Sequence, residues 1–334
     1  MRSEVTAFGL HRPSSVSEAI SILSKYGGQA AVISGGTDII SRNKNKIKTH
    51  MFTHLVDISG LNLSYLKQES DGWHIGATYY LNNIATNTSV PNVLSQAAGA
   101  VATLQIRNMG TVAGDVLQEV WCPYLRNDFA CWRNGGNVCY GAIGDNRYYH
   151  SIFGGRLCYA NHAGDVAQAL FALGASATIQ GPLGTRTVSM DQLMPGISVI
   201  GGAVKENTVG QNEILTEFHV PNQPLGQKST YYKARDRGTW DFALASAAIA
   251  LSFSGSTVSN ASIVLGGVDV VPHRAHSAES AVTGKQLNES VFTNVAQAAL
   301  GDATPLTYGI GNAFRVEIAK GVVKKALRAI SLLM

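Results

Sequence analysis

The stretch Ala30-Ala31-Val32-Ile33-Ser34-Gly35-Gly36-Thr37-Asp38 decides the reading of this chain. Its four apolar residues form a short strand signal that runs directly into a double-glycine turn, and a helical segment is expected from Ile39. Consecutive glycines let a backbone take positive φ and approach a ligand closely. The N–H groups freed in such a turn can bind an anion, and a pyrophosphate is the natural guest. A Gly-Gly pair after a strand also serves simply as a tight turn. The pattern lacks the GxGxxG spacing, which disfavours a Rossmann domain. A turn of similar chemistry, Gly110-Thr111-Val112-Ala113-Gly114-Asp115, follows Gln105-Ile106-Arg107-Asn108-Met109. Two such turns could clamp one diphosphate from both sides.

Regular structure surrounds these turns. Ser15-Val16-Ser17-Glu18 fits a capping box, and Val16, Ala19, Ile20, Leu23 and Tyr26 share a helical face that ends at Gly27-Gly28. His54 to Ile58 reads as a strand. Leu63 to Gln68 and Trp73 to Ala77 flank Asp71-Gly72 as a hairpin. Asn82 to Gln105 is Ala-rich and reads as mostly helical. Periodicity disappears from Glu119 to Ala160 and resumes with Val166, Ala169, Leu170 and Leu173 on a helix. Strands continue to Val220, and Pro221 to Gly226 reads as a linker. Strand-like runs follow at Ser229–Ala234, Ala243–Phe253 and Ala261–Leu265. Helices near Val291–Leu300 and Phe314–Leu333 finish the chain, the second with Lys320, Lys324, Lys325 and Arg328 on a solvated face.

At 334 residues the chain is too long for one small core. Only 14% of it is charged, which fits either a surface covered by partner subunits or one rich in Ser, Asn, Thr and Gly. A net charge of +4 without a long basic run argues against nucleic acid. No apolar segment is long enough to span a bilayer, and the N-terminus lacks an apolar signal core. A cytoplasmic location is expected, or export together with a signal-bearing partner. His11, His50, His54, His74, His150, His162, His219, His273 and His276 are scattered and read as ordinary. No Ser-His-Asp or paired-carboxylate constellation argues for hydrolysis, and no catalytic residue is assigned to this chain.

Cys122, Cys131, Cys139 and Cys158 are the only cysteines, spaced C-x8-C-x7-C-x18-C within the aperiodic stretch. Two disulfides would suit a secreted protein. Structural zinc usually uses C-x2-C pairs, which are absent. An iron–sulfur cluster tolerates wider spacing, provided that four thiolates converge.

The paired turns resemble the FAD-binding segments of the flavoprotein (medium) subunits of the xanthine dehydrogenase and carbon monoxide dehydrogenase family of molybdenum hydroxylases. The resemblance covers nearly the whole chain, including Asp57, Ile75-Gly76-Ala77 and Ile263 to Val268 with Pro272 and Arg274. It implies that Ile33, Ser34, Gly35, Gly36, Thr37 and Asp38, with Ile106, Gly110, Thr111, Ala113, Gly114 and Asp115, hold the FAD diphosphate. Two positions depart from the pattern. Ala113 stands where glycine is frequent, and Asp115 where asparagine is typical, so the Asp115 carboxylate, repelled by phosphate, is expected to point elsewhere or to bond the backbone. The same resemblance places Asp165 on the adenosine ribose hydroxyls, a site where it could also cap a helix. It places Lys233 near the flavin ring, where a cation would stabilise reduced, anionic flavin.

A minority of the family carries a four-cysteine insertion binding a [4Fe–4S] cluster, as in 4-hydroxybenzoyl-CoA reductase and some bacterial aldehyde oxidoreductases. The four cysteines here are similar to it, and Trp121, Tyr124, Trp132 and Tyr140 are expected to pack around the cluster, or else to form the small core of a loop. The implied fold is α+β, a two-subdomain FAD-binding fold of the PCMH/VAO type with a C-terminal α+β domain. The implied bounds are 1–58, 59–222 with the Cys-rich insertion at 119–160, and 223–334. The implied function is electron transfer between an outside acceptor or donor and partner chains. Those partners are a large molybdenum-cofactor subunit and a small [2Fe–2S] subunit, in a heterotrimer or a dimer of heterotrimers. The rival readings are a stand-alone FAD oxidoreductase and a non-catalytic, zinc-stapled scaffold subunit.

Overall fold

In the computed structural model, residues 5–45, 52–200 and 203–334 are described; His50 lies outside them. The first layer is a parallel sheet in which β1 (Gly9–His11) and β2 (Ala30–Ile33) flank β3 (His54–Asp57). Helix Val16–Tyr26 makes the crossover from β1 to β2. It buries Ala19 and Leu23 against Val56, Ile58 and Ile214. Ser15 Oγ accepts from Glu18 N as a cap should, but the Glu18 carboxylate reaches one residue further, accepting from Ser14 N and Ser14 Oγ at 2.7 Å each.

The second unit is an antiparallel sheet of five strands. β4 (Leu66–Glu69) and β5 (Gly72–Gly76) form the hairpin expected about Asp71-Gly72, and β6 (Ser176–Gly181) and β7 (Gly184–Ser189) form another. A small pair, β8 (Ser198–Ile200) and β9 (Ala203–Lys205), precedes β10 (Ile214–Pro221). β10 inserts between the two hairpins, giving the order β4-β5-β10-β6-β7. The Ala-rich stretch is three helices rather than one: Leu81–Ala85, Asn92–Ala100 and Leu104–Arg107. Pro91 stands at the start of the second, and Ala102, at φ 37°, cannot continue it. Helix Val166–Ala172 is buried along its whole length in the same core.

The C-terminal domain is an antiparallel sheet of β11 (Lys228–Ala234), β12 (Ala245–Ser254), β13 (Thr257–Gly266) and β14 (His273–Arg274). β12 explains its own continuous apolar run. Ala248 faces the core of the second unit, while Ala245, Ala247, Ile249 and Leu251 face the helices of the C-terminal core. A strand covered on both faces loses the polar half of its alternation. Those helices are His276–Val282, which its weak pattern hid, Glu289–Ala299 and Phe314–Ser331. The basic residues of the last helix are engaged at the surface, Lys320 with Glu317 and Arg328 with Glu289. The fold is therefore α+β, with two N-terminal subdomains built on the parallel and the five-stranded sheets and a C-terminal sheet-and-helix domain.

Candidate functional site

A cleft of about 800 Å³ opens between the turn after β2 and the turn after Leu104–Arg107. It is lined by all fourteen residues implicated by sequence, namely Ile33 to Asp38, Ile106, Gly110, Thr111, Ala113 to Asp115, Asp165 and Lys233. The two turns touch backbone to backbone. A Cβ on Gly35 would lie 1.9 Å from the Met109 carbonyl oxygen, so only glycine fits there. Gly36 supplies the positive φ, at 73°.

Their hydrogen bonds divide the two turns. The N–H groups of Gly35, Gly36 and Thr37 donate to no acceptor among the described residues. In the second turn, Val112 N donates to Tyr79 O, Ala113 N to Ala77 O, Asp115 N to Thr111 O, and Gly114 N to Thr111 Oγ1. From Gly110 to Asp115 only Thr111 N lacks an acceptor among the described residues, so the first turn offers three uncommitted N–H groups to an anion, and the second offers one while buttressing the first.

Behind the second turn lies a buried polar cluster. Asp165 accepts from Tyr231 Oη and Lys233 Nζ, both at 2.6 Å, and Lys233 also donates to Ala100 O. The Lys233 and Asp165 side chains are only 4% and 5% exposed, so Lys233 is a buried cation rather than a solvated strand lysine. Asp165 stands just before helix Val166–Ala172 but makes no cap bond; Asp115 Oδ2 takes the Val166 N–H instead, at 2.8 Å. Asp115 also accepts from Gln118 Nε2. Burial, and then the neighbouring Asp165 carboxylate, push Asp115 up to about 7. The two side chains, 2.6 Å apart, present one paired surface to the cleft wall. Tyr231 was missed, although period-two alternation places it on the same strand face as Lys233.

Asp38 joins the cleft to the cysteine loop. Its carboxylate accepts from Arg126 at 2.8 Å and from Glu119 N at 3.1 Å. Glu119 in turn pairs with Arg133, a buried guanidinium that also holds Glu206 and donates from Nε to Cys158 Sγ at 3.2 Å. Trp121 is not part of the cysteine shell. It lies under the Arg126 guanidinium and stacks on Phe242 in the cleft wall, because Asp38 draws Arg126 to that side. Cys122, Cys131, Cys139 and Cys158 line one small apolar cavity with Tyr124, Trp132 and Tyr140. All four are free thiols. Burial pushes Cys122 up to about 12 and also raises Cys131 and Cys139, so ligation would release protons. Among the described residues, no three of these sulfurs lie within 4.8 Å of one another.

No helix among the described residues is long and apolar enough to cross a membrane. The family profile described as the FAD binding domain in molybdopterin dehydrogenase matches residues 6–223, and that of the CO dehydrogenase flavoprotein C-terminal domain matches residues 230–330. The aldehyde oxidoreductase FAD-binding subunit PaoB of Escherichia coli is 30% identical over 96% of this chain and 97% of its own length. The carbon monoxide dehydrogenase medium chain of Hydrogenophaga pseudoflava is 27% identical, covering 96% of each. A solved carbon monoxide dehydrogenase chain from the same organism superposes with a TM-score of 0.77 at 26% identity, over 98% of this chain and 99% of that one. With the two profiles accounting for nearly all of its length, this chain belongs to the FAD-binding medium subunits of the molybdenum hydroxylases, the electron-transfer flavoproteins of multisubunit molybdenum-dependent oxidoreductases.

Proposed function

We propose that FAD lies in the cleft with its diphosphate on the first glycine turn, held by the N–H groups of Gly35, Gly36 and Thr37. The observation that carries this reading is their lack of other acceptors among the described residues, in a turn held open by the Gly35–Met109 contact. Asp165, Tyr231 and Lys233 hold the far wall of the cleft as one unit. Bound FAD would supply the exchange between two-electron and one-electron chemistry that iron–sulfur clusters lack. The subdomain bounds that go with this reading are 1–58, 59–222 and 223–334.

The cysteine loop is the site of a [4Fe–4S] cluster in this reading. Four thiols converge on one cavity, and Cys158 already receives hydrogen bonds from Arg133 Nε and Ala160 N, as a ligating thiolate sulfur can. A single tetrahedral zinc would need its sulfurs about 3.8 Å apart, from Zn–S bonds of about 2.3 Å. No three of the four sulfurs among the described residues lie within 4.8 Å of one another, so a single zinc would have to draw them together. Partners would be a large molybdenum-cofactor subunit and a small [2Fe–2S] subunit, the first holding the substrate. The test is anaerobic purification of the subunit with flavin, iron, sulfide and zinc analysis. About one FAD is expected, with roughly four iron and four sulfide per chain, and Cys139→Ser should lower the iron and sulfide while FAD is retained. Stoichiometric zinc without sulfide would refute the cluster, and a folded, colourless subunit that takes up no FAD would refute the cleft assignment.

A further inference from the structure

The five-stranded sheet turns one face to the core, with Ile75, Phe218 and Val220 buried there. On the opposite face His74 of β5 and His219 of β10 are direct register partners, their ring centroids 4.7 Å apart. The β4–β5 turn brings Asp71 to the same place. Asp71 Oδ1 lies 3.2 Å from His74 Nε2, and Oδ2 lies 3.4 Å from His219 Nε2. One ligand atom from each residue lies within 4.8 Å of the other two. None of the three lines the cleft or the cysteine cavity.

We propose that Asp71, His74 and His219 form a binding site for a first-row divalent transition-metal ion of the zinc class. Two imidazoles and a carboxylate suit zinc, nickel or copper, whereas magnesium and calcium prefer all-oxygen shells. Tetrahedral ligands at about 2.1 Å from zinc stand about 3.4 Å apart, close to the spacings Asp71 makes with both rings. A second layer is already in place. His74 Nδ1 is 3.0 Å from Glu217 Oε1, and Glu217 accepts from Tyr65 Oη at 2.7 Å. A carboxylate behind a ligating imidazole fixes its tautomer and aims the other nitrogen at the metal. With Nδ1–H donated to Glu217, the Nε2 lone pair of a neutral His74 faces the Asp71 carboxylate, an arrangement that calls for a cation between them. A proton on His74 would serve Asp71 alone. It would leave His219 Nε2, a buried nitrogen whose 3.4 Å approach to Asp71 Oδ2 does not make a hydrogen bond, still unsatisfied. A metal satisfies all three.

The turn is held in position without help from the metal. Asn222 N donates to Asp71 O at 3.0 Å, and Asn222 Nδ2 donates to Ser70 O at 2.6 Å. Lys67, the cross-strand neighbour of His74, directs its ammonium over the Tyr65 ring. The remaining coordination positions face solvent, because Asp71 is 60% exposed. A bound ion would clasp the β4–β5 turn to β10 and stabilise the folded sheet by mass action.

The test uses the FAD-loaded chain, stripped with EDTA and titrated with zinc by calorimetry and metal analysis. The cysteine loop is intact in every variant, so any zinc it takes up cancels in the comparison. Wild type should bind one more zinc per chain than His219→Ala or Asp71→Asn, and only wild type should gain thermal stability from that ion. Asp71→Asn changes an exposed residue and guards against a folding defect at His219. Glu217→Gln, which keeps all three ligands, should bind that zinc about 10–100-fold more weakly. Magnesium at the same concentration should have no effect. Equal zinc uptake by wild type and both ligand variants, or a wild-type site that does not discriminate zinc from magnesium, would overturn the proposal.

Discussion

Asp115→Asn tests the electrostatics of the cleft. Asp115 is fully buried against Asp165, and its ionisation is displaced from 3.8 to about 7. Below about pH 4 the carboxyl is protonated in folded and unfolded chains alike, and it contributes no difference. Between about pH 4 and 7 the folded chain keeps a proton that the unfolded chain has lost, so stability falls as pH rises through that window and levels off above it. At about 1.4 kcal/mol per unit, the displacement amounts to about 4 kcal/mol of penalty at pH 8. Asp115 lines the cleft, where entering solvent screens part of that, so a gain of about 1–3 kcal/mol is expected from the substitution. An asparagine can still accept from Val166 N, and the Gln118 amide can turn to present its oxygen. Thermal midpoints of both proteins, taken from pH 5 to pH 8 at fixed FAD concentration, are the assay. The variant should pull ahead of wild type by a few degrees as pH rises, at roughly 2 °C per kcal/mol for a chain of this size. A gain that does not change with pH, or a variant less stable at pH 8, would refute the assignment of a raised Asp115.

Gly35→Ala should empty the cleft. Its Cβ would meet the Met109 carbonyl at 1.9 Å and force the turns apart, at about 1–3 kcal/mol, with FAD content falling in protein that still folds. Gly36→Ala meets only the Ile33 side chain, at 3.3 Å, and strains its φ of 73° by about 1 kcal/mol, so it should lose less flavin than Gly35→Ala, and equal FAD content in the two variants would contradict the close backbone contact between the turns. Lys233→Met leaves Asp165 buried without its cation and should cost about 3–5 kcal/mol in denaturant unfolding, much of it recovered when Asp165→Asn is added. Arg315 is wholly buried and donates to the carbonyls of His150, Leu244 and Gly267, tying the last helix to the cysteine loop. Arg315→Lys, with one nitrogen in place of the planar fork, should lose at least one of these contacts and cost about 2–3 kcal/mol, read as a lowered thermal midpoint.

Much of this protein is legible in its sequence, because the signals involved are local. The strand Ala30–Ile33, the glycine turn after it and the Asp71-Gly72 hairpin follow from neighbouring residues and their backbone preferences. So does the loss of periodicity around the four cysteines, and the family resemblance rests on the same segments. What the tertiary structure decided is which distant groups meet. Period two puts His74 on one face of its strand, but only the insertion of β10 between the hairpins sets His219 opposite it, turning two histidines that read as ordinary into a pair. Asp165 reads as a helix cap, yet Asp115 takes that bond, because β11 brings Tyr231 and Lys233 to the Asp165 carboxylate. The two glycine turns look alike in sequence. They differ in the fold because the second is hydrogen-bonded to Ala77 and Tyr79 beside β5, while the first projects from the end of its strand with the N–H groups of Gly35, Gly36 and Thr37 uncommitted among the described residues. Local propensity acts over a few residues along the chain, whereas partners across a sheet or a cleft are chosen by strand order and register, which depend on every layer packing at once.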